Sequence, residues 1–118
     1  MEAFRALSND RSRIHVDDAY ARSRGNRGVI VYGGIMLAHL SHVLGAAVPG
    51  DHGVSTKWEI TYRSPLYLDE PAILTLEVVN VSKAVGHVEG KFKIEACGRM
   101  IATGKTQSVV PSEEIADS

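Results

Sequence analysis

The hydrophobic periodicity of this chain changes once, and that change constrains its fold more than any other feature. Residues 34–45 carry apolar side chains around most of a helical circumference, so this segment predicts a helix buried among other elements. Four later segments alternate or are rich in β-branched residues, and Gly, Pro, Asp or Ser separates them: 54–63, 71–82, 86–96 and 99–110. Short turns between successive strands favour an antiparallel sheet.

One apolar helix followed by four strands predicts an α+β fold of the hotdog type, in which an antiparallel sheet wraps around a central helix. A length of 118 residues suits one domain with a real core. We expect that domain to span 1–111, with a polar tail over 112–118. The edges and open face of such a sheet need cover, so we expect a homodimer. Trp58 and Tyr62, in the first predicted strand, are interpreted as core or interface residues.

Shorter elements are predicted ahead of the central helix. Residues 2–8 are typical of the last turns of a helix. Residues 17–24 predict another helix, with Asp17 and Asp18 near the positive end of its dipole. Residues 29–32 are short, β-branched and apolar, as in a strand.

Composition argues against several classes of function. Lys plus Arg 13 against Asp plus Glu 14 leave no basic footprint, so we expect no nucleic-acid partner. No apolar stretch reaches the roughly 20 residues of a membrane span. The N-terminus has no signal-peptide pattern, so we expect a cytoplasmic protein without a membrane partner. Cys97 is the only cysteine, and we expect its thiol to be buried in or beside a strand.

Three histidines have a spacing that a metal ion can use, namely His39, His42 and His52. No cysteine or nearby carboxylate completes a ligand set with them. We therefore expect no metal and no cofactor.

The strongest functional pattern lies in a polar break between the two short helices, where Asp10 precedes His15 by five residues. With ordinary pKa values of about 4 and about 6.5, a carboxylate and an imidazole can divide the transfer of a proton near neutrality. The amides of Gly33 and Gly34, at a helix start, can stabilise an oxyanion. Taken singly, Asp10 also fits a turn, His15 a packed loop and the glycine pair a tight corner.

Asp10 and His15 lie within a longer motif. In chain order the motif has an aromatic residue, a small polar turn, the acid, an aliphatic residue, the histidine and, further along, a small residue. The residues that match it are Phe4, Leu7, Ser8, Asp10, Ile14, His15, Asp17 and Ala21, and the match continues through VIVYGGIMLAHLSHVLG. On these residues the segment 4–45 resembles the MaoC-like dehydratases and the (R)-specific enoyl-CoA hydratases.

The resemblance implies syn addition of water to a trans-2-enoyl thioester of CoA or an acyl carrier protein, or the reverse dehydration of an (R)-3-hydroxyacyl thioester. It implies that Asp10 deprotonates the water, that His15 orients it and helps pass a proton to the α-carbon, and that Gly33 supplies the oxyanion amide. Further substrate-binding candidates are Ser12, Tyr32, Gly34 and Ser41, the last matched to a family serine that faces the same pocket.

The chain departs from the family pattern at four positions. The family usually has Gly or an acidic residue at Asn9, Asn at Ser12 and Pro at Arg13, and often His at Tyr32. Relatives also begin with a strand ahead of the motif, so we expect a sheet that lacks the usual N-terminal strand. Two alternatives stay open: a hotdog thioesterase, in which Asp10 aims water at the thioester carbon, and a non-catalytic subunit that binds acyl thioesters.

Overall fold

The protein folds as three helices followed by four strands, in a computed structural model that describes residues 1–46, 50 and 52–111. These elements are α1 (Glu2–Ser8), α2 (Asp18–Ser23), α3 (Gly33–Ala46), β1 (Val54–Tyr62), β2 (Ile73–Ser82), β3 (His87–Ala96) and β4 (Arg99–Val109). A 3-10 turn, Arg13–His15, lies between α1 and α2. The predicted tail at 112–118 lies outside the described residues.

The strands form one antiparallel sheet in the order β1-β4-β3-β2. All four strand predictions are thus confirmed, and in the described part of the chain no strand of this sheet precedes α3. The predicted strand at 29–32 is wrong, because Ile30 makes only an isolated bridge to Tyr67 in the β1–β2 connection.

The helix α3 packs one side against the inner face of the sheet. Its buried residues join side chains of β3 and β4 in one hydrophobic cluster: Met36, Leu40, Leu44, Phe92, Ile94, Ala96, Ile101 and Ala102. The prediction of a buried helix holds for this side only, since a single sheet cannot cover both sides. The residues exposed on the other side are Ala38, His39, Ser41 and His42. No helix in the described ranges is long and apolar enough to cross a membrane.

The hairpin between β3 and β4 corrects the expectation for the cysteine. Ala96 pairs with Arg99, so Cys97 and Gly98 form a two-residue loop. Both have positive φ, 50° and 76°, which a type I′ turn requires. Cys97 is exposed there and is not a buried strand residue, because a turn of this type directs its side chains away from the core.

Candidate active site

The end of α1 positions Asp10. Asn9 terminates the helix in the left-handed conformation, at φ 58°, and its amide donates to the carbonyl of Arg5. The Ser8 hydroxyl donates to the Phe4 carbonyl at 2.8 Å and accepts from the Asp10 amide at 3.1 Å. Asp10 therefore follows α1 in a turn that is held by local hydrogen bonds.

The Asp10 carboxylate is fixed by Ser12. Oδ1 accepts from the Ser12 hydroxyl at 2.6 Å and from the Ser12 amide at 3.0 Å. These two bonds hold the pKa of Asp10 below its usual range, and the positive charge of protonated His15 lowers it further. The carboxylate is therefore ionised near neutrality. Ser12 contacts this acid, and its contact with substrate stays a prediction.

The ring of His15 is oriented by the backbone of Ile30. Nδ1 lies 2.8 Å from the Ile30 carbonyl oxygen, which can only accept, so Nδ1 carries a proton. In the neutral ring Nε2 is then the nitrogen that accepts a proton or a hydrogen bond. The backbone of Ile30 thus fixes the orientation of the ring in the absence of a ligand.

Tyr32 links the acid to the histidine. Its side chain is almost fully buried, with 1% of its surface exposed, and its ring stacks on His15 with the centroids 4.2 Å apart. Its hydroxyl donates to the backbone carbonyl of Asp10 at 2.7 Å. Tyr32, a predicted substrate-binding residue, is thus buried and is absent from the lining of the cavity described below.

The turn between Asp10 and His15 forms although Arg13 stands where relatives have proline. The His15 amide donates to the Ser12 carbonyl at 3.1 Å, which closes the 3-10 turn. The Arg13 guanidinium lies 4.2 Å from the centroid of the Tyr20 ring and 3.6 Å from the Asp17 carboxylate. These contacts restrain the segment in place of a proline ring.

The two glycines at the start of α3 meet different neighbours. A Cβ on Gly33 would lie 2.7 Å from the Tyr62 hydroxyl, which donates to the Gly33 carbonyl at 2.8 Å. A Cβ on Gly34 would collide with the Phe4 ring, so Gly34 allows α1 to pack on α3. Among the described residues the Gly33 amide has no acceptor, as expected at a helix N-terminus.

A cavity of about 480 Å³ brings His15 and Gly33 together. Its apolar wall is formed by Ile30, Val31, Met36, Pro65 and Leu66, and its polar lining includes Asn26, Tyr62, Arg63 and Ser64. Asp10 is not part of this lining and lies beside it, half-buried. Ser41 is exposed on α3, about 12 Å along the helix from Gly33, so within the chain it does not reach the cavity.

Sequence analysis missed the contribution of β1 to this site. Tyr62 was interpreted as core or interface, and no role was assigned to Arg63, yet both line the cavity where β1 ends. Burial raises the pKa of the Tyr62 hydroxyl, which therefore stays a proton donor near neutrality. The only sequence signal for this contribution is the hydroxyl group of Tyr62, on a residue type that is otherwise typical of strands.

The histidines considered as metal ligands do not converge on one point. The rings of His39 and His42 lie 6.4 Å apart on the exposed side of α3. The described ranges contain no group of three or more side chains able to hold a metal ion.

Hydrogen bonds from Arg99 to Glu70 and Pro65 stabilise the wall of the cavity. Arg99 donates to both Glu70 oxygens, at 2.7 and 2.8 Å, and to the Pro65 carbonyl at 2.9 Å. The Glu70 side chain is 3% exposed and also accepts from the Tyr67 amide at 3.0 Å. The Arg99 bonds lower the pKa of Glu70 to about 2, with the Tyr67 amide as the next cause. Pro65 is thus tied to the β3–β4 hairpin.

Replacing Glu70 with glutamine should destabilise the protein in a pH-dependent way. A carboxyl with a lowered folded-state pKa stabilises the fold above its unfolded value, about 4.3, and that contribution disappears as the pH falls towards about 2. The difference in unfolding free energy between wild type and E70Q should therefore be larger at pH 7 than at pH 3, measured by urea denaturation. Asp69→Asn, whose carboxylate makes an exposed ion pair with Arg27, is the control and should change little. A pH-independent difference for E70Q contradicts this account.

Comparison with known proteins gives a consistent set of relatives. The chain is 22% identical over 109 residues to an (R)-specific enoyl-CoA hydratase of Rhodospirillum rubrum, covering 92% of this chain and 76% of the relative. It is 28% identical over 76 residues to an (R)-specific enoyl-CoA hydratase of Aeromonas caviae, covering 64% of this chain and 57% of the relative. No model of a protein family matches the chain.

The fold has close counterparts among solved structures. The (R)-hydratase of A. caviae involved in PHA biosynthesis superposes with a TM-score of 0.86 at 23% identity, over 93% of this chain and 84% of that one. The predicted hotdog architecture is therefore confirmed. The chain therefore has a hotdog fold, and its sequence is similar to those of two (R)-specific enoyl-CoA hydratases.

Proposed function

We propose that the protein is an (R)-specific enoyl-thioester hydratase, which adds water to a trans-2-enoyl thioester and catalyses the reverse dehydration. The observation that carries the proposal is the linkage of Asp10 and His15 through Tyr32, beside a cavity that Gly33 also lines. The similarity to two hydratases of this specificity supports the same reaction.

The proposed reaction uses one water held between Asp10 and His15. The ionised carboxylate accepts a proton from the water, and the resulting oxygen forms a bond to the β-carbon. The proton taken up by Asp10 passes to the His15 Nε2 and from there to the α-carbon. Asp10 and His15 thereby regain their starting states, and the net change is one water added across the double bond. Two proton-handling groups of this kind each contribute a factor of about 10² to 10⁴ in rate.

The negative charge that develops on the thioester oxygen is assigned to the start of α3. The Gly33 amide lies at the positive end of a helix of 14 residues and lines the cavity. The Tyr62 hydroxyl fixes the carbonyl of the same residue, which holds this peptide in position. Removing one such donor typically lowers kcat by about a hundredfold or more.

The apolar wall suits the acyl chain of the substrate. Met36 and Leu66 are nearly fully buried, and together with Ile30 and Val31 they offer a hydrocarbon surface next to His15. An acyl chain bound there would leave the thioester near Gly33 and the carrier group towards Arg63.

A crotonyl-CoA assay separates the proposal from the two alternatives. Hydration removes the enoyl absorbance without releasing thiol, which is the expected result. Release of free thiol would instead indicate a thioesterase, and binding without either reaction would indicate a non-catalytic subunit.

Tyr32→Phe should lower kcat about tenfold and the free energy of unfolding by about 1 kcal/mol. The change removes the bond to the Asp10 carbonyl but keeps the ring that stacks on His15, so both groups lose positional restraint. Tyr20→Phe is the matched control, because its ring contact with Arg13 survives. Equal kcat values for the two variants would show that the Tyr32 hydroxyl has no positioning role.

We also propose that the protein acts as a homodimer. Both edge strands of the sheet carry exposed apolar side chains, among them Val54 and Trp58 on β1 and Ile73, Val79 and Val81 on β2. Light scattering after size exclusion should give twice the mass of the chain, and a monomer at micromolar concentration contradicts the proposal.

A further inference from the structure

A second hollow lies on the outer face of the sheet and adjoins the candidate active site. Its volume is about 650 Å³, and most of its lining residues alternate with the core positions along all four strands. Arg63 contributes to the lining of this hollow and also to that of the cavity with His15 and Gly33. Its guanidinium donates to the Thr103 hydroxyl on the outer face at 3.0 Å. Arg63 therefore lies between the hollow and the cavity and lines both.

The floor of the hollow holds two lysines directly opposite each other. Lys91 of β3 pairs in register with Lys105 of β4, and like charges in that relation destabilise a sheet. In the described part of the chain neither ammonium makes an ion pair with a carboxylate. Glu59, opposite Lys105, binds Lys57 at 2.8 Å instead. Glu77 lies opposite Lys91 in the β2–β3 register, and both Glu77 and Glu59 line the hollow. The lining nevertheless holds four Lys and Arg side chains against these two carboxylates, and this excess of positive charge favours an anion that approaches the sheet from solvent.

The distance from the cavity to the lysine pair fits the length of the carrier arm of a thioester. Lys105 lies opposite Glu59, four residues along β1 from Arg63, which is about 14 Å at 3.4 Å per residue. An extended pantetheine arm that leaves the cavity over Arg63 covers such a distance. Met100, 38% exposed, adds an apolar surface to the same hollow, and Thr75 and Thr103 add hydroxyls.

We propose that this hollow binds the adenosine 3′,5′-bisphosphate end of CoA, with its phosphates on Lys91 and Lys105 and with Arg63 at the passage from the cavity. The proposal rests on the proposed function, because it takes the substrate to be a CoA thioester. Phosphate offers several acceptor oxygens to two ammonium groups and removes their mutual repulsion. Because both lysines are exposed, the affinity should fall as ionic strength rises.

Calorimetric titration of wild type and K91Q/K105Q with CoA, adenosine 3′,5′-bisphosphate and pantetheine tests this assignment. The double variant should bind CoA and the bisphosphate about tenfold more weakly, while its affinity for pantetheine stays within about twofold. Lys83→Gln, an exposed lysine in the β2–β3 turn, is the control and should match wild type. Thermal melts should show a cooperative transition for the double variant, which confirms that it is folded.

The result that overturns the inference is equal binding of CoA by wild type and the double variant. Failure of the wild type to bind the bisphosphate also overturns it. These titrations need no turnover, so they are independent of the hydratase assay. Lysine-dependent CoA binding without hydration would retain the site and reject the proposed reaction.

Discussion

Asp10→Asn should lower kcat for hydration of crotonyl-CoA by about a thousandfold, with a much smaller change in KM. The amide keeps the size of the side chain and an oxygen that can accept from Ser12, so the turn should persist. It cannot accept the proton of the attacking water at neutral pH, which is the function assigned to the carboxylate. Initial rates of wild type and variant, with thermal melts to confirm folding, provide the measurement.

The control for this substitution is Asp69→Asn, an acid-to-amide change at an exposed carboxylate away from the cavity lining. It should retain wild-type kcat. If Asp10→Asn keeps more than about a tenth of the activity, Asp10 is not the base and the assignment of the pair is wrong.

Gly104→Ala should lower the free energy of unfolding by about 3 kcal/mol and the Tm by more than about 10 °C. Gly104 lies opposite Phe92 in the β3–β4 register, and the Phe92 ring covers the glycine. A Cβ would collide with the Glu59 backbone carbonyl of β1 and with that ring. The backbone of a strand cannot move aside as a flexible side chain can. To accommodate the methyl group, β4 would have to move away from β1 at the centre of their pairing.

Gly45→Ala is the matched control because it adds the same methyl group where, among the described residues, no atom beyond its chain neighbours and its own helix backbone lies within 4 Å. Within α3 it should be neutral or stabilising by about 0.5–1 kcal/mol. Urea denaturation at pH 7 compares the two variants. Similar stabilities would mean that β4 can shift at Gly104 and that the sheet is packed less tightly than the structure indicates.

The strands and the central helix were predictable because their periodicities differ and because turn residues separate them. The failures have local causes. The segment 29–32 has strand-forming residues, but it lies against the β1–β2 connection and not against a strand. Residue propensities carry no information about which segment lies alongside another in the fold. Cys97 lies in a type I′ turn, a position that a composition rule for buried cysteines does not anticipate.

Sequence patterns could indicate only those residues of the candidate site that lie close together along the chain. Asp10, His15 and Gly33 lie on one segment, so their pattern can be read from the chain. Tyr62 and Arg63 reach the same cavity from β1, and only the fold reveals that proximity. The hydroxyl of Tyr32 cannot be distinguished from a ligand contact by sequence alone, whereas its burial and its bond to the Asp10 carbonyl support the positioning role that we propose.

The most direct test of the proposed reaction is the configuration of the product that the wild-type protein forms from crotonyl-CoA in deuterated water. The account predicts (R)-3-hydroxybutyryl-CoA with one deuterium on the α-carbon, added on the same face as the hydroxyl, and no release of thiol. Chiral chromatography and NMR of the isolated product measure both properties. An (S)-product, anti addition, free CoA or unreacted crotonyl-CoA would contradict it.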